Sequence, residues 1–548
     1  MRTWHPIAVL VLFVLAAHPL LVAQSSKDRS ELEQLKSLVM SQQKALEDMQ
    51  SQIQALRSAM EEQTKKLASG AEGGADPQRN TPSQAQTVQE PAASEPPETP
   101  SEQEQKAVRE ELQRGPEIAD ITPDTPALNL GPAKVRLIGY PAMTTVWRSA
   151  NSGGNVGTDF SGIPFDNTVA GTTSEFRVSP QSTRLALRVD TNLKSSYAAG
   201  YFEMDFGGAP LAGNVAVTGS SYTFRIRQAW FDWGKGKWEV AGGQMFSLMT
   251  PNKASILPWP GDVATTQVID MNFVPGLVWG RYPQVRAVYH ESKNASFGLS
   301  VENPEQQVGD NVVFPSALAS TLSSQYNTGT NQLLVPNMTP DFVFKGSFDG
   351  ELHRDRKAHL DMAAVVRVFR SWNGGSVYGK DHAFGWGVGA NSSVDVKKGF
   401  RFVLDGFANA GAGRYIGGLA PDVVVTANGN ILPVHSYSWV SGFEIAPNPA
   451  TGLYLYYSGL YAQKNSILNS NAACCVGFGY PGANTAADRL IEEVTAGYSR
   501  VLWKFENIGS VQWGAQYAYQ WLEPWVAGTG PSSAKQNMIF AQLRYNLP

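Results

Sequence analysis

Cysteine is nearly absent from this 548-residue chain: there are two, adjacent, at Cys474 and Cys475. That rules out a disulfide scaffold, a CxxC zinc ribbon and a thiolate-held iron–sulfur cluster. In the loop they occupy, local stiffening is a better reading than redox work. Charge is also scarce, at 17% of residues, against about 25% for an ordinary soluble domain. Past the N-terminus no apolar run approaches the ~20 residues of a spanning helix. Enzyme signatures are missing too. There is no GxSxG, and His290-Glu291 starts an HExxH that meets Asn294 where the second His belongs. With no nucleotide or metal motif, neither a cofactor nor a nucleic-acid partner is expected.

A further scarcity divides the chain. Residues 24–130 hold no Phe, Trp or Tyr and carry 11 Lys/Arg against 19 Asp/Glu, a net of −8. Residues 131–548 hold 55 of the 57 aromatics and carry 32 Lys/Arg against 29 Asp/Glu, a net of +3. A segment without aromatics cannot build a conventional core. One this aromatic and this poor in charge must set its rings against something apolar. The chain is two objects.

At the N-terminus, Arg2 and His5 precede an apolar stretch from Ile7 to Ala17, and Leu21-Val22-Ala23 leads to Gln24. This is the layout of a secretory signal peptide over 1–23. The segment 28–68 then keeps a 3-4 apolar spacing at Leu32, Leu35, Val39, Leu46, Met49, Ile53, Leu56, Met60 and Leu67, with Gln42 and Gln63 in the two gaps. So polar a helix cannot hide that stripe alone, and no second helix of similar pattern follows, so it is expected to oligomerise as a coiled coil. Residues 69–130, rich in Pro, Gly, Ser and Glu, read as a disordered linker.

From residue 131 the period becomes 2. Leu185, Leu187 and Val189 alternate with Arg184, Ala186, Arg188 and Asp190; Phe202, Met204 and Phe206 with Tyr201, Glu203 and Asp205. Phe224, Ile226 and Trp230 alternate with Arg225, Arg227, Ala229 and Phe231. Such strands of ~10 residues are the signature of an outer-membrane barrel. Sixteen are expected, starting near residues 134, 182, 196, 222, 237, 283, 295, 341, 358, 384, 400, 435, 451, 490, 509 and 536. Short turns alternate with long connections such as 149–181, 245–282, 303–340, 411–434 and 461–489, and an even number of strands puts both chain ends in the periplasm. The fold class is thus an all-β transmembrane barrel of about 16 antiparallel strands, preceded by an α-helical coiled coil and a disordered linker.

The segments SPQSTRLALRVDT (Ser179–Thr191), GYFEMDFGG (Gly200–Gly208), FRIRQAWFDW (Phe224–Trp233), VAGGQMFSLMTP (Val240–Pro251), RYPQVRAVYH (Arg281–His290), LSVENPE (Leu299–Glu305) and GAGRYIGG (Gly411–Gly418) resemble the DcaP-type porins. The resemblance spans essentially the whole barrel, and the coil matches too. It implies a trimeric outer-membrane channel with a periplasmic coil, associated with small negatively charged solutes, dicarboxylates among them.

Assigning the apolar face to lipid leaves Arg184, Arg188, Arg225, Arg227 and Arg286 to the lumen, with Arg367 and Lys345 as additions from later strands. Such a row attracts anions and orients carboxylates. Glu203 and Asp205, pointing inward from the strand between, could offset two of the five, so internal salt-bridging competes with an anion-attracting wall. In the 245–282 connection, Met249, Lys253 and Trp259 mark a constriction loop, because a loop rich in Pro and bulky apolar groups has reason to pack against the inner wall; trimer contact or extracellular cover is the alternative. A structural anchor linking the barrel to the periplasm or cell wall, and a barrel-embedded hydrolase, are the competing functions. Crosslinking of the detergent-purified protein should trap three chains through the heptads, and a chain lacking residues 24–130 should still fold as a barrel. A barrel that fails without the coil would contradict the division of the chain.

Overall fold

The structure is a computed structural model that describes residues 126–548 except 194, 211–218, 257, 259–267, 310, 330–334, 337–338, 354–355, 373–379, 469–474, 480–486, 506 and 527–530. The signal peptide, the heptads, most of the linker, Trp259 and Cys474 therefore lie outside the described residues.

The strands are β1 (Leu128–Leu130), β2 (Ala133–Tyr140), β3 (Ala142–Arg148), β4 (Glu175–Ser179), β5 (Arg184–Leu193), β6 (Ser196–Asp205), β7 (Arg225–Lys235) and β8 (Trp238–Phe246). Then follow β9 (Arg281–Ser292), β10 (Ala295–Glu302), β11 (Asp341–His353), β12 (Arg356–Trp372), β13 (Lys380–Lys397), β14 (Phe400–Ala410), β15 (Val423–Val425) and β16 (Ile431–Pro433). The last are β17 (His435–Asn448), β18 (Thr451–Ala462), β19 (Asn465–Leu468), β20 (Cys475–Phe478), β21 (Asp488–Phe505), β22 (Gly509–Pro524) and β23 (Ala534–Asn546). Among the described residues, nineteen strands form one sheet, while β15–β16 and β19–β20 are small separate ribbons in the long connections. β1 folds onto β2, so ordered backbone begins inside the segment read as linker.

Successive wall strands pair antiparallel, as hairpins require. The sheet order runs from β1 and β2 to β5, onward to β23, and then to β3 and β4. Its two parts meet at Pro141. A proline has no N–H to give a ladder, so strands break there. β2 pairs with β5 and β3 with β23, while Tyr545 N–H donates to Pro141 O at 3.0 Å and Leu547 N–H to Gly139 O at 2.9 Å. Taken with their breaks at Pro141 and at Pro180–Thr183, β2–β3 and β4–β5 are one wall strand each. The wall then has sixteen strands, close to the expected starts. Turns on one side are tight: Gly236 (φ 60°) links β7 to β8 and Gly399 (φ 72°) links β13 to β14, both in the left-handed region that glycine enters at little cost.

Period 2 sorts the side chains as expected along most strands. Leu187, Phe202, Ile226, Val285, Phe344, Leu455 and Leu543 are exposed on the outer face, and Arg188, Glu203, Asp205, Arg286 and Arg367 are buried on the inner one. One segment departs from the reading. In β7 the register against β6 shifts, Glu203 pairing with Gln228 and Met204 with Ile226, so Arg227 is an extra residue. Such a bulge reverses the phase beyond it. Trp230, expected outside, is 5% exposed and stacks on Tyr201, whereas Phe231, expected inside, is 62% exposed. Gln244 repairs the bulged backbone, its amide donating to the Ile226 and Arg227 carbonyls at 3.1 and 3.2 Å.

The interior is not simply water and charge. Leu248, Met249, Ile256, Tyr326, Phe369, Phe407, Tyr415 and Val423–Val425 form a buried apolar cluster in which the connections after β8, β10 and β14 pack against the inner wall. Each such side chain contributes about 1.5–3 kcal/mol, enough to hold these connections in place.

Gly139 is the tightest point of the Pro141 junction. A Cβ there would lie 2.2 Å from the Arg184 carbonyl oxygen, at a φ of 131° that L residues avoid. Gly139→Ala should lower the unfolding free energy by roughly 1–3 kcal/mol, read as earlier loss of the compact species on heated gels. Gly200→Ala, which meets nothing within 4 Å, should behave as the parent.

Candidate functional site

All five expected arginines of the wall lie on the inner face, but carboxylates answer them one by one. Asp205 takes Arg225 through Nε at 3.0 Å and Nη2 at 2.8 Å, the bidentate geometry of guanidinium and carboxylate. Arg227 sits between Glu203 at 2.5 Å and Asp205 at 2.7 Å. Arg184 stays 3.8 Å from Glu203, beyond hydrogen-bond distance. Arg188 donates to Asp190 at 2.7 Å, as does Arg136, and Arg286 lies 3.8 Å from Glu239. The expected offset of two charges is therefore a correction to make. Asp190 and Glu239 join Glu203 and Asp205, and the cationic surplus of these five is smaller than the strand pattern suggested. Burying any of these ions alone would be prohibitive, and pairing is what makes the inner wall tenable.

Arg367 occupies a different place. It is sealed among loops, with Asp341 at 3.0 Å, Asp422 at 2.8 Å, and Phe369 and Tyr415 rings at 4.8 and 5.7 Å. It clamps the 411–434 connection to the wall and does not join the other five. Burial pushes the Asp422 carboxyl above the usual carboxylate range, against the pull of Arg367.

Two inner arginines escaped the sequence reading. Arg544 on β23 shares the Tyr140 ring with Arg184, their guanidinium carbons 4.9 and 5.7 Å from its centroid. Its inward phase, opposite Ile539, Ala541 and Leu543, was legible. Arg281, at the start of β9, lies over Phe246 and Trp279 at 5.5 and 5.2 Å. No periodicity governs a strand end, so nothing in the pattern marks it.

The 245–282 connection runs along the inner wall. Asn252 N–H donates to Asp361 at 2.7 Å and Ser255 N–H to Asp349 at 2.9 Å, while Asn391 donates to the Asn252 carbonyl at 2.9 Å. Lys345 Nζ donates to Thr250 O at 2.8 Å and meets Asp361 at 3.0 Å. Further on, Ile269 N–H bonds Gln516 on β22 at 2.8 Å, and Trp279 N–H bonds Tyr415 O at 2.9 Å. Met249 is buried in the apolar cluster and Lys253 is half-buried. Asp270, buried under Thr158, has its carboxyl pushed up by that burial.

Between this connection and the 149–181 connection opens a cavity of about 630 Å³, lined by Arg177 and Arg225 beside Asn155, Asn272, Leu277 and Trp279. It lies at the end of the wall that carries the long connections. Arg225 belongs both to this vestibule and to the ion cluster beneath it.

No family model matches the chain, and no curated relative does. Solved structures match. The outer membrane channel DcaP of Acinetobacter baumannii aligns at 18% identity and a TM-score of 0.54, over 76% of this chain and 97% of that one. An anion-selective porin from Comamonas acidovorans aligns at 10% identity and a TM-score of 0.41, over 76% and 100%. The likeness to DcaP shows the fold alone: an antiparallel β-stranded wall of the kind that channel has.

The tip Thr250–Ser255 hangs on Lys345 and Asp361. Removing one partner alone would strand the other charge at about 3–5 kcal/mol, so the test is Lys345→Met with Asp361→Asn. This double variant should fold and show a larger or noisier single-channel conductance. An unchanged conductance would mean that the tip does not narrow the bore.

Proposed function

We propose that the chain is an outer-membrane porin: a closed sixteen-stranded barrel forming a passive, water-filled channel for small hydrophilic solutes, with a preference for anions such as dicarboxylates. The observation that carries this reading is the Arg225 junction, where the cavity of about 630 Å³ opens onto inner-wall guanidiniums that carboxylates only partly neutralise. Arg184, with no carboxylate within hydrogen-bond distance, Arg225, which faces the vestibule, and Arg544 supply the excess. Field lines concentrate in such a low-dielectric passage, raising the local anion concentration in a salt-screened manner. Met249 and Lys253 belong to the constricting connection on this reading, and so does Trp259 by its place in the sequence. No cofactor or catalytic step is involved.

The heptads of 28–68 would assemble three chains in the periplasm, with 69–130 as tether and 1–23 removed on export. Outer-membrane lipid, two further copies of the chain and the solute are then the partners. One observation favours the structural-anchor reading: the apolar cluster fills part of the interior with packed connections. A correctly folded protein that leaves a planar bilayer silent would decide for that anchor.

The charge argument gives a differential test. In planar bilayers the parent should show stepwise conductance and, under a salt gradient at low ionic strength, reversal potentials of anion preference. Arg225→Gln should reduce that preference without unfolding the barrel, since Asp205 keeps Arg227. Arg188→Gln and Arg286→Gln should alter stability more than selectivity, because Arg188 is itself buried beside Asp190 and Arg286 beside the buried Glu239. Cation preference in the parent, or an unmoved reversal potential in Arg225→Gln, would refute the anionic reading.

A further inference from the structure

The β12–β13 hairpin stands above its neighbours on the side of the long connections. β11 pairs with β12 only as far as Val366, and β14 with β13 only from Trp386. Beyond those points the two strands continue together, Arg367–Trp372 against Lys380–Gly385, as a two-stranded fin. Its inner face is held by the connections behind it. Gln306 accepts the Arg370 N–H at 2.6 Å, Gln325 the Trp372 N–H at 2.7 Å, and Asp381 accepts the Ile431 N–H at 2.6 Å. The fin is therefore a rigid plate and its outer face is a preformed surface.

That outer face has an unusual composition. Trp372, Phe384 and Trp386 are 47%, 68% and 46% exposed. Among them Arg370 and His382 are direct register partners, both exposed. Basic groups opposite each other on one face of a sheet disfavour the pairing unless something anionic lies between them. On the inner face Arg225, Arg227 and Arg367 each have a carboxylate. Here no acidic side chain pairs with either group among the described residues, and the connecting stretch 373–379 contains no Asp or Glu. The one acid nearby, Asp381, is the inward residue committed to Ile431.

We infer that the outer face of the β12–β13 fin docks a phosphate-bearing lipid of the surrounding membrane leaflet, its phosphate between Arg370 and His382 and its apolar part against Trp372, Phe384 and Trp386. The face is the outer one of the wall, on strands that run on past their neighbours beyond Val366 and Trp386. A cation is far less costly near a membrane interface than at the midplane. A guanidinium takes phosphate through two parallel N–H donors, the imidazole adds a third, and exposed aromatic rings favour the interfacial zone where headgroup meets acyl chain. Charge complementarity and amphipathic layout together select a phospholipid or phosphoglycolipid over a soluble protein partner. The inference rests on the outer-membrane reading but not on conduction.

The test is native mass spectrometry of the full chain in mild detergent, offered a diphosphorylated glycolipid or its dephosphorylated counterpart. The parent should retain the phosphorylated lipid about tenfold better, equivalent to about 1.4 kcal/mol. The Arg370→Gln/His382→Gln variant should lose that difference while keeping the parent's conductance and heated-gel migration. Equal retention of both lipids by the parent, or an unchanged difference in the variant, would overturn the inference. Complete displacement by inorganic phosphate would also overturn it, since the face would then be a free-anion site. A silent bilayer with intact lipid discrimination would count against the channel and leave the lipid face standing.

Discussion

In a hydrocarbon layer no water is available to backbone amides and carbonyls, so each strand must find hydrogen-bond partners along both edges. On the proposed barrel reading the strands must come round on themselves, and the break in the first wall strand is a strained point of the sheet. It lies at Pro141. The proline surrenders an N–H, Gly139 turns at a φ of 131°, and the two halves of the first wall strand bond separately to β5 and β23. Other irregularities, such as the β7 bulge at Arg227, leave the order of the strands intact.

That constraint dictates what the inside can be. With the outward face committed to apolar groups, all other side chains go in, and the interior of this wall receives more charge than a dry space can hold unpaired. Two solutions appear side by side. Along β5 to β9 the ions pair locally across adjacent strands, as with Arg227 between Glu203 and Asp205. Along β11 to β14 the connections fold back in and use the wall's ions as anchors: Lys345 and Asp361 for the tip near Asn252, Arg367 for Asp422. The same residue type thus has opposite duties. Arg225 is left partly open to a cavity and Arg367 is sealed under rings.

How far the sequence disclosed this follows from the range of each signal. Alternation is local, so the strands and inward-facing Arg184, Arg188, Arg225, Arg227 and Arg286 could be read without knowing any partner. A bulge is one residue long and silent in composition, so the phase reversal at Arg227 misplaced Trp230 and Phe231. The pairing of Arg286 with Glu239 depends on register between β8 and β9, which hydropathy does not encode. The apolar cluster was the least visible feature. Its members lie in connections without a period, and Tyr326, Tyr415 and Val423–Val425 acquire a common surface only once the wall curves around them.

The β12–β13 hairpin shows how these levels join. Its inward residues, Arg367 and Phe369, belong to the clamp that draws the 411–434 connection inside; its outward residue Arg370 follows Phe369 directly and faces away from that packing. Strand alternation makes the two tasks compatible, because one backbone can present a sealed ion pair to the interior and an open cation to the exterior at 3.4 Å per residue. The clamp's rigidity is what makes the outer face a fixed surface. A hairpin rising past its neighbours would otherwise fray, since beyond Val366 and Trp386 neither β11 nor β14 pairs with it among the described residues. Packing that narrows the interior thus also fixes the orientation of the exterior, and both follow from a strand that outruns the sheet around it.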